Sequence, residues 1–336
     1  MTTIAFPQIT AQNELRVASA VSDGLGCWPK WLPAWLFYDE AGSDLFEQIT
    51  RLPEYYLTRT EREILTAHAA EMIALAAESD AAKRCCQKSA RLRIAELGAG
   101  SADKTRLLLK AVAGRQGTLI YEPVDVSASA LEAARERIER EIPGVAVIPR
   151  VADYTHGLDL EPLAAGERRL VLYIGSSIGN FEPHQASQLL EGVRAGLEPG
   201  DALLLGVDLV KDESTLLAAY DDAAGVTAQF NLNVLARLNR ELAADFDLDA
   251  FEHRIVWNRA KSRIEMHLES EVAQRVKLPL LDLEVNFSAG ERIHTENSYK
   301  YAPGQVEEML RAIGFSPEST WTDPRGWFAV CLARVP

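Results

Sequence analysis

A doubly wound α/β fold is what this sequence predicts, and three observations predict it. Short apolar runs alternate with amphipathic helical stretches from residue 92 to residue 210. The first run ends in a glycine turn, Glu96-Leu-Gly-Ala-Gly100. The alternation then stops after Asp208, and later segments change polarity residue by residue, as antiparallel strands do. Strands alternating with helices need a mostly parallel sheet covered on both faces. Right-handed crossovers place the C-terminal ends of such strands on one edge, where ligands bind.

Taken in order, residues 60–78 read as a helix opened by a capping box, Thr60 with Glu63. A polar loop follows to Ser89, and residues 92–100 form the first buried strand. The stretch after Lys104 is a helix, and 117–127 a second strand. The next helix is expected to start at Ser129 with Glu132 as its capping partner. Residues 144–154 give the third strand, 168–181 the fourth and 201–210 the fifth, with a helix from His184 to Ala195 before the last. Residues 211–260 read as helix and polar loop, and 262–270 as an antiparallel strand continued in the same style to about Glu296. A helix stopped by Gly314 and a closing hairpin complete the chain. The expected division is therefore 1–60 with 210–300 as a mixed α+β domain, inserted in a doubly wound domain of 61–209 with 301–336.

Composition bounds the function. With 35 Lys and Arg against 49 Asp and Glu, the formal charge is −14, which opposes phosphate backbones and argues against nucleic acid as a partner. The densest cationic stretch, Lys83 to Arg93, reads as a solvated linker. Cys27, Cys85, Cys86 and Cys331 show no metal-ligand or disulfide spacing, so no metal is expected. The N-terminus lacks the pattern of a signal peptide, and no apolar stretch approaches membrane-spanning length. A cytoplasmic protein, off the membrane and monomeric, is expected.

The glycine turn is a nucleotide-type turn, because Gly98 and Gly100 let backbone approach a ligand. In a dinucleotide fingerprint the third glycine would fall at position 103, which is Asp103, and a carboxylate there repels a pyrophosphate. S-adenosylmethionine carries no phosphate and is cationic at its sulfonium, so an acidic rim suits it. Asp125 closes the second strand, where it can accept from both ribose hydroxyls, and Asp153 closes the third, beside Tyr154, where it can take the adenine amino group. Singly each Asp reads as well as a helix cap or turn residue; their succession along one edge favours the cofactor. Lys104 is either a solvated helix residue or a contact for the cofactor carboxylate, and Asp208 reads as a turn residue.

These residues stand within longer motifs: residues 37–61 (FYDEAGSDLFEQITRLPEYYLTRTE), ELGAGSADKTRLLL, GSSIGNF, LLGVDLVKD, AYDDAAGVTAQFNLNVL, RIEMHL and TENSYK. With them the chain closely resembles the L-histidine Nα-methyltransferases of ergothioneine biosynthesis, from about Trp28 to the C-terminus. The resemblance implies a Rossmann-like class I methyltransferase domain and a substrate-binding domain. It also implies trimethylation of the α-amine of histidine to hercynine, with S-adenosylmethionine as co-substrate. By motif, the implied cofactor residues are Gly98, Lys104, Asp125, Asp153 and Tyr154, with Gly100 completing the turn. Histidine would be held by Tyr55, Asn180, Tyr220, Glu296 and Ser298, with Met266 lining the imidazole pocket and Tyr38 and Phe46 near the reacting amine. Tyr154 stands where the family often has phenylalanine, and Asn297 departs from the neutral or apolar residue expected there.

The chemistry accepts these types. Neutral donors such as Asn180 and two tyrosines can clamp a carboxylate, and Glu296 can accept from an imidazole N–H while Ser298 serves the other nitrogen. Met266 alternates with Ile264 and Leu268, so core packing remains an equal reading. Tyr38 would pass the amine proton on through water, or the proton would leave directly to solvent. A related substrate, tryptophan, is disfavoured because burying the Glu296 carboxylate against a larger indole wastes its desolvation. An NAD-dependent dehydrogenase is disfavoured by Asp103 and by the lack of an acid/base pair. A non-catalytic binding protein on the same scaffold would need a degraded cofactor edge, and Gly98, Gly100, Asp125 and Asp153 are all in place.

Overall fold

The structure is a computed structural model that describes residues 7–78, 90–158 and 160–336. Cys85, Cys86 and the 83–89 part of the cationic stretch lie outside the described residues. Along the chain run α1 (Pro7–Leu25), β1 (Lys30–Trp31), α2 (Glu40–Ile49), α3 (Tyr56–Ala77), β2 (Arg91–Leu97), α4 (Thr105–Gln116) and β3 (Leu119–Asp125). Next come α5 (Ala128–Glu141), β4 (Val145–Val147), β5 (Arg150–Val151), β6 (Glu167–Tyr173), α6 (Pro183–Ala195) and β7 (Ala202–Asp208). Then follow α7 (Glu213–Ala218), α8 (Val226–Leu242), β8 (Phe251–Asn258), β9 (Arg263–Ser270), β10 (Gln274–Leu278), β11 (Leu283–Phe287) and β12 (Arg292–Tyr299). The chain ends with α9 (Gln305–Ala312), β13 (Ser316–Thr322) and β14 (Phe328–Arg334).

Two compact units result, one of residues Leu57–Lys211 with Tyr299–Pro336, the other of Met1–Tyr56 with Asp212–Ser298. In the first, the sheet order is β13-β14-β7-β6-β2-β3-β4, with β5 also on β3. All pairs are parallel except those that β14 makes with β7 and β13. The central strands are mostly apolar on both faces because both are covered. Leu92 and Ile94 of β2 join Leu65, Leu108 and Ile138 from α3, α4 and α5, while Ala95 and Leu97 join Leu190 and Leu310 from α6 and α9. This is the arrangement of a Rossmann-like class I methyltransferase, a mostly parallel sheet closed by an antiparallel hairpin. The second unit has a four-stranded sheet, β1-β12-β9-β8, and a separate β10–β11 hairpin. Asn231 of α8 ties that helix to its sheet, donating to the His267 carbonyl at 2.9 Å and accepting from Thr295 Oγ1 at 2.8 Å.

The structure departs from these expectations in five places. The helix α3 starts at Tyr56 rather than Thr60, because extending it by a turn buries Tyr56 and Leu57. Thr60 then lies inside the helix, with Arg325 Nη2 3.4 Å from its hydroxyl. The cap of α5 is Ser127, accepting from the Ala130 amide at 3.3 Å, and Glu132 pairs with Arg135 instead of capping. The third strand is split into β4 and β5 around Pro149, which has no amide to give the ladder. Residues 251–258, expected as helix or loop, form β8, paired with β9 over its whole length. Asp208, expected at a turn, ends β7 wholly buried, with Lys211 Nζ at 2.6 Å and Lys300 Nζ at 2.8 Å.

Candidate active site

In the methyltransferase unit the ends of β2, β3 and β5 form one edge. Backbone at Gly98 turns with φ of +64°, a conformation that β-carbons disfavour, and a Cβ there would sit 3.5 Å from the Tyr154 hydroxyl. Asp125 braces the turn: its Oδ2 accepts from the Gly100 amide at 3.0 Å and its Oδ1 from the Ser127 amide at 3.0 Å. Each oxygen keeps a further lone pair for a ligand hydroxyl. Asp153 closes a 3-10 turn through Oδ1, which accepts from the Thr155 amide at 3.0 Å and hydroxyl at 2.6 Å. Tyr154 packs edge-on against Tyr173, ring centres 5.7 Å apart, and burial pushes its phenol up to about 12, so it stays protonated. The structure thus brings Gly98, Gly100, Asp125, Asp153 and Tyr154 to one edge, an acidic cradle open to backbone approach and free of a phosphate-binding glycine at 103.

Beneath that edge Glu96 is buried, accepting from Thr105 Oγ1 at 2.6 Å and from the Tyr121 hydroxyl. Burial lifts its carboxyl from 4.5 to about 7 against those hydrogen bonds. The folded protein therefore holds this proton more tightly than the unfolded chain, and stability falls as pH rises from about 4.5 to about 7. The shift is worth about 3 kcal/mol across that window. Glu96→Gln should flatten the fall, measured as urea midpoints between pH 4.5 and pH 8. Parallel curves for variant and wild type would show that Glu96 does not titrate there.

In the second unit an aromatic chain assembles side chains far apart in sequence. Tyr38 lies edge-on to Phe46 with centroids 5.7 Å apart, Phe46 to Tyr55 at 6.3 Å, and Tyr55 to Tyr220 at 6.3 Å. Phe230 of α8 joins Tyr38 at 5.8 Å and Phe46 at 6.0 Å, a member that sequence reasoning missed. Its signal was present in the AQFNLNVL helical pattern, but only as a core position. Asp39 orients this cluster by capping α2, accepting from the Gly42 amide at 2.7 Å and from Asn233 Nδ2 at 2.8 Å. The Tyr220 and Ser298 hydroxyls are 2.6 Å apart, buried at the end of β12. Glu296 stands two residues earlier on β12, half-buried, and strand periodicity puts it on the same face as Ser298.

Met266 is buried on β9 in line with Ile264 and Leu268, and its carbonyl accepts from Thr295 Oγ1 at 3.1 Å, next to Glu296 in sequence. Asn180 belongs to the methyltransferase unit, half-buried at the end of the turn that follows β6. Thr227, in the first turn of α8, carries a buried hydroxyl with no hydrogen-bond partner among the described residues; no motif pointed to it. Lys104 pairs with the carboxylate of Glu61, a residue that no sequence signal assigned to the site. Among the described residues, no group of three or more His, Cys, Asp or Glu could hold a metal ion, and no helix is long and apolar enough to cross a membrane.

Comparison with known proteins bears on the family to which the chain belongs. The sequence profile of a family described as histidine-specific, SAM-dependent methyltransferases matches residues 17–335. Histidine N-alpha-methyltransferase of Mycolicibacterium smegmatis is 48% identical over 313 residues, which cover 93% of each chain. The protein of the same name from Mycobacterium tuberculosis is 47% identical over 321 residues, 96% of this chain and 95% of that one. Ergothioneine biosynthesis protein 1 of Neurospora crassa is 31% identical over 326 residues, 94% of this chain and 34% of that longer protein. With its methyltransferase sheet, its acidic glycine edge and a match spanning nearly its whole length, this chain belongs to the family of SAM-dependent histidine-specific methyltransferases.

Proposed function

We propose that the protein transfers three methyl groups in succession to the α-amine of L-histidine, giving hercynine, a step of ergothioneine biosynthesis. It would act as a monomer in the cytoplasm. The observation that carries the substrate is the end of β12, where the carboxylate of Glu296 and the Tyr220–Ser298 hydroxyl pair lie on one strand face. A neutral imidazole has one donor and one acceptor nitrogen, and this pair of groups answers both.

The Gly98–Gly100 turn, Asp125, Asp153 and Tyr154 would hold the adenosine of S-adenosylmethionine, and Lys104 its carboxylate. That co-substrate supplies the electrophilic methyl group. The α-amine, methyl carbon and sulfur must lie in line, so the enzyme's part is chiefly alignment and exclusion of water. Asn180, Tyr55 and Tyr220 would fix the substrate carboxylate with neutral donors. The α-nitrogen sheds a proton before each attack, through water held by Tyr38 or directly to solvent. As the N–C bond forms, the C–S bond breaks and its electron pair stays on sulfur. The linked ring faces of Tyr38 and Phe46 favour the growing cation.

Mass spectrometry of histidine incubated with enzyme and S-adenosylmethionine should show additions of one, two and three methyl groups. Absence of any methylated histidine, with tryptophan methylated instead, would overturn the substrate. The clamp has its own check. Asn180→Ala should lose about 1.5–3 kcal/mol in kcat/KM by removing an oriented bond to a charged group. Histamine, lacking the carboxylate, should be a poor substrate for the unmodified enzyme; equal turnover of histamine and histidine would remove Asn180 from the clamp.

A further inference from the structure

Glu61 lies in the second turn of α3 with no exposed surface, and a buried carboxylate needs partners. Its Oε2 pairs with the Lys104 ammonium, and its Oε1 accepts from the Gly175 amide at 2.9 Å. Gly175 opens the turn after β6 that ends in Asn180. A Cβ at Gly175 would stand 3.4 Å from Lys104 Nζ, so the ammonium rests over that turn. On β7, a Cβ at Gly206 would come within 2.3 Å of Glu61 Oε1. The sheet leaves room for this one carboxylate.

The two members of the pair differ in access. The Lys104 side chain is 20% exposed, whereas Glu61 is at 0%. An anion sealed behind the ammonium does not itself meet a carboxylate ligand. We propose that Glu61 is a positioning residue for the amino-acid end of the cofactor. It takes one hydrogen-bonding direction of the Lys104 ammonium and leaves the remaining N–H groups aimed at the cofactor carboxylate. Through Gly175 the same side chain sets the start of the turn that carries Asn180. The proposal rests on the assignment of Lys104 to that carboxylate, and its effect on the cofactor passes through Lys104.

Titration calorimetry with two ligands separates these layers. S-adenosylhomocysteine carries the amino-acid carboxylate, and 5′-methylthioadenosine lacks it. Glu61→Gln keeps an acceptor for the Gly175 amide but removes the charge. It should weaken S-adenosylhomocysteine roughly tenfold and methylthioadenosine less than roughly threefold. Lys104→Met should show the same selectivity, and the double variant should bind no more weakly than Lys104→Met alone, because the two residues act as a unit. If Lys104→Met fails to fold with its partner carboxylate bare, the neutral double variant takes its place. Glu61→Asp, which draws the charge back by one methylene, should reproduce the selective loss and serves if Glu61→Gln is unstable. Equal weakening of both ligands, or additive losses in the double variant, overturns the proposal. Unchanged S-adenosylhomocysteine binding in Lys104→Met instead removes the assignment of Lys104, and the proposal with it.

Discussion

Replacing Glu296 with alanine is expected to lower kcat/KM for histidine by about 30- to 1000-fold, or about 2–4 kcal/mol. The reason is asymmetric. A site that offers an acceptor to a substrate N–H gains from histidine and leaves that acceptor unpaired against a phenyl ring, while the larger indole carries its single N–H at a different position. Glu296 is half-buried on β12, so water compensates it only in part when an apolar ring covers it. Free imidazole titrates near 6.5, so at pH 8 the substrate is neutral and still carries one N–H for the carboxylate. The alanine variant should therefore lose histidine activity and, at the same time, discriminate less against tryptophan. Cofactor affinity should stay within about twofold, because Glu296 lies outside the methyltransferase unit. The measurement is kcat/KM for histidine and tryptophan in both proteins. Full histidine activity with unchanged selectivity would return Glu296 to the status of an ordinary strand residue.

What the sequence let one read follows from where the determining contacts lie. The strands β2, β3, β6 and β7 were legible because both faces are buried, so each is mostly apolar, with Arg93, Glu96 and Glu122 among the buried exceptions. Gly98 and Gly100 were legible because a turn that opens toward a ligand needs their backbone freedom, whatever the ligand. The helix start was misplaced at Thr60 because a capping pattern is local whereas the burial of Tyr56 is tertiary, and at Ser129 because Ser127 offers a competing cap two residues earlier. β8 was missed since its burial is partial along most of its length, leaving no clean alternation. The candidate site shows the same divide. Tyr38, Phe46, Tyr55 and Tyr220 were named through motifs, but that they form one chain with Phe230 is a tertiary fact. Glu61 and Lys104 are 43 positions apart, and no periodicity links them.

Asp208 is the position where that divide has the largest energetic consequence, and Asp208→Asn should cost about 3–5 kcal/mol of stability. Its carboxylate is wholly buried, and so is the Lys300 side chain, while that of Lys211 is 3% exposed. Around it the backbone is also crossed. The Tyr301 amide donates to the Asp208 carbonyl at 2.9 Å, and the Val210 amide to the Tyr301 carbonyl at 3.0 Å. The chain leaves the methyltransferase unit after Lys211 and re-enters it at Tyr299, so one carboxylate pairs with a lysine from each crossing. Removing the charge takes from two buried ammonium groups the carboxylate they share, which is costlier than the loss of either bond. Burial already pushes Lys211 down to about 8, against the attraction of Asp208. Its folded pKa is below the unfolded value, so the folded state sheds this proton first and stability gains as pH rises past about 8. The deficit of Asp208→Asn should accordingly shrink between pH 7 and pH 9.5. Adding Lys211→Met to it should recover part of the loss by removing one uncompensated charge. Urea midpoints for the single and double variants at both pH values test the account. A loss below about 1 kcal/mol, or a deficit independent of pH and untouched by Lys211→Met, would mean that water or other dipoles already solvate these lysines.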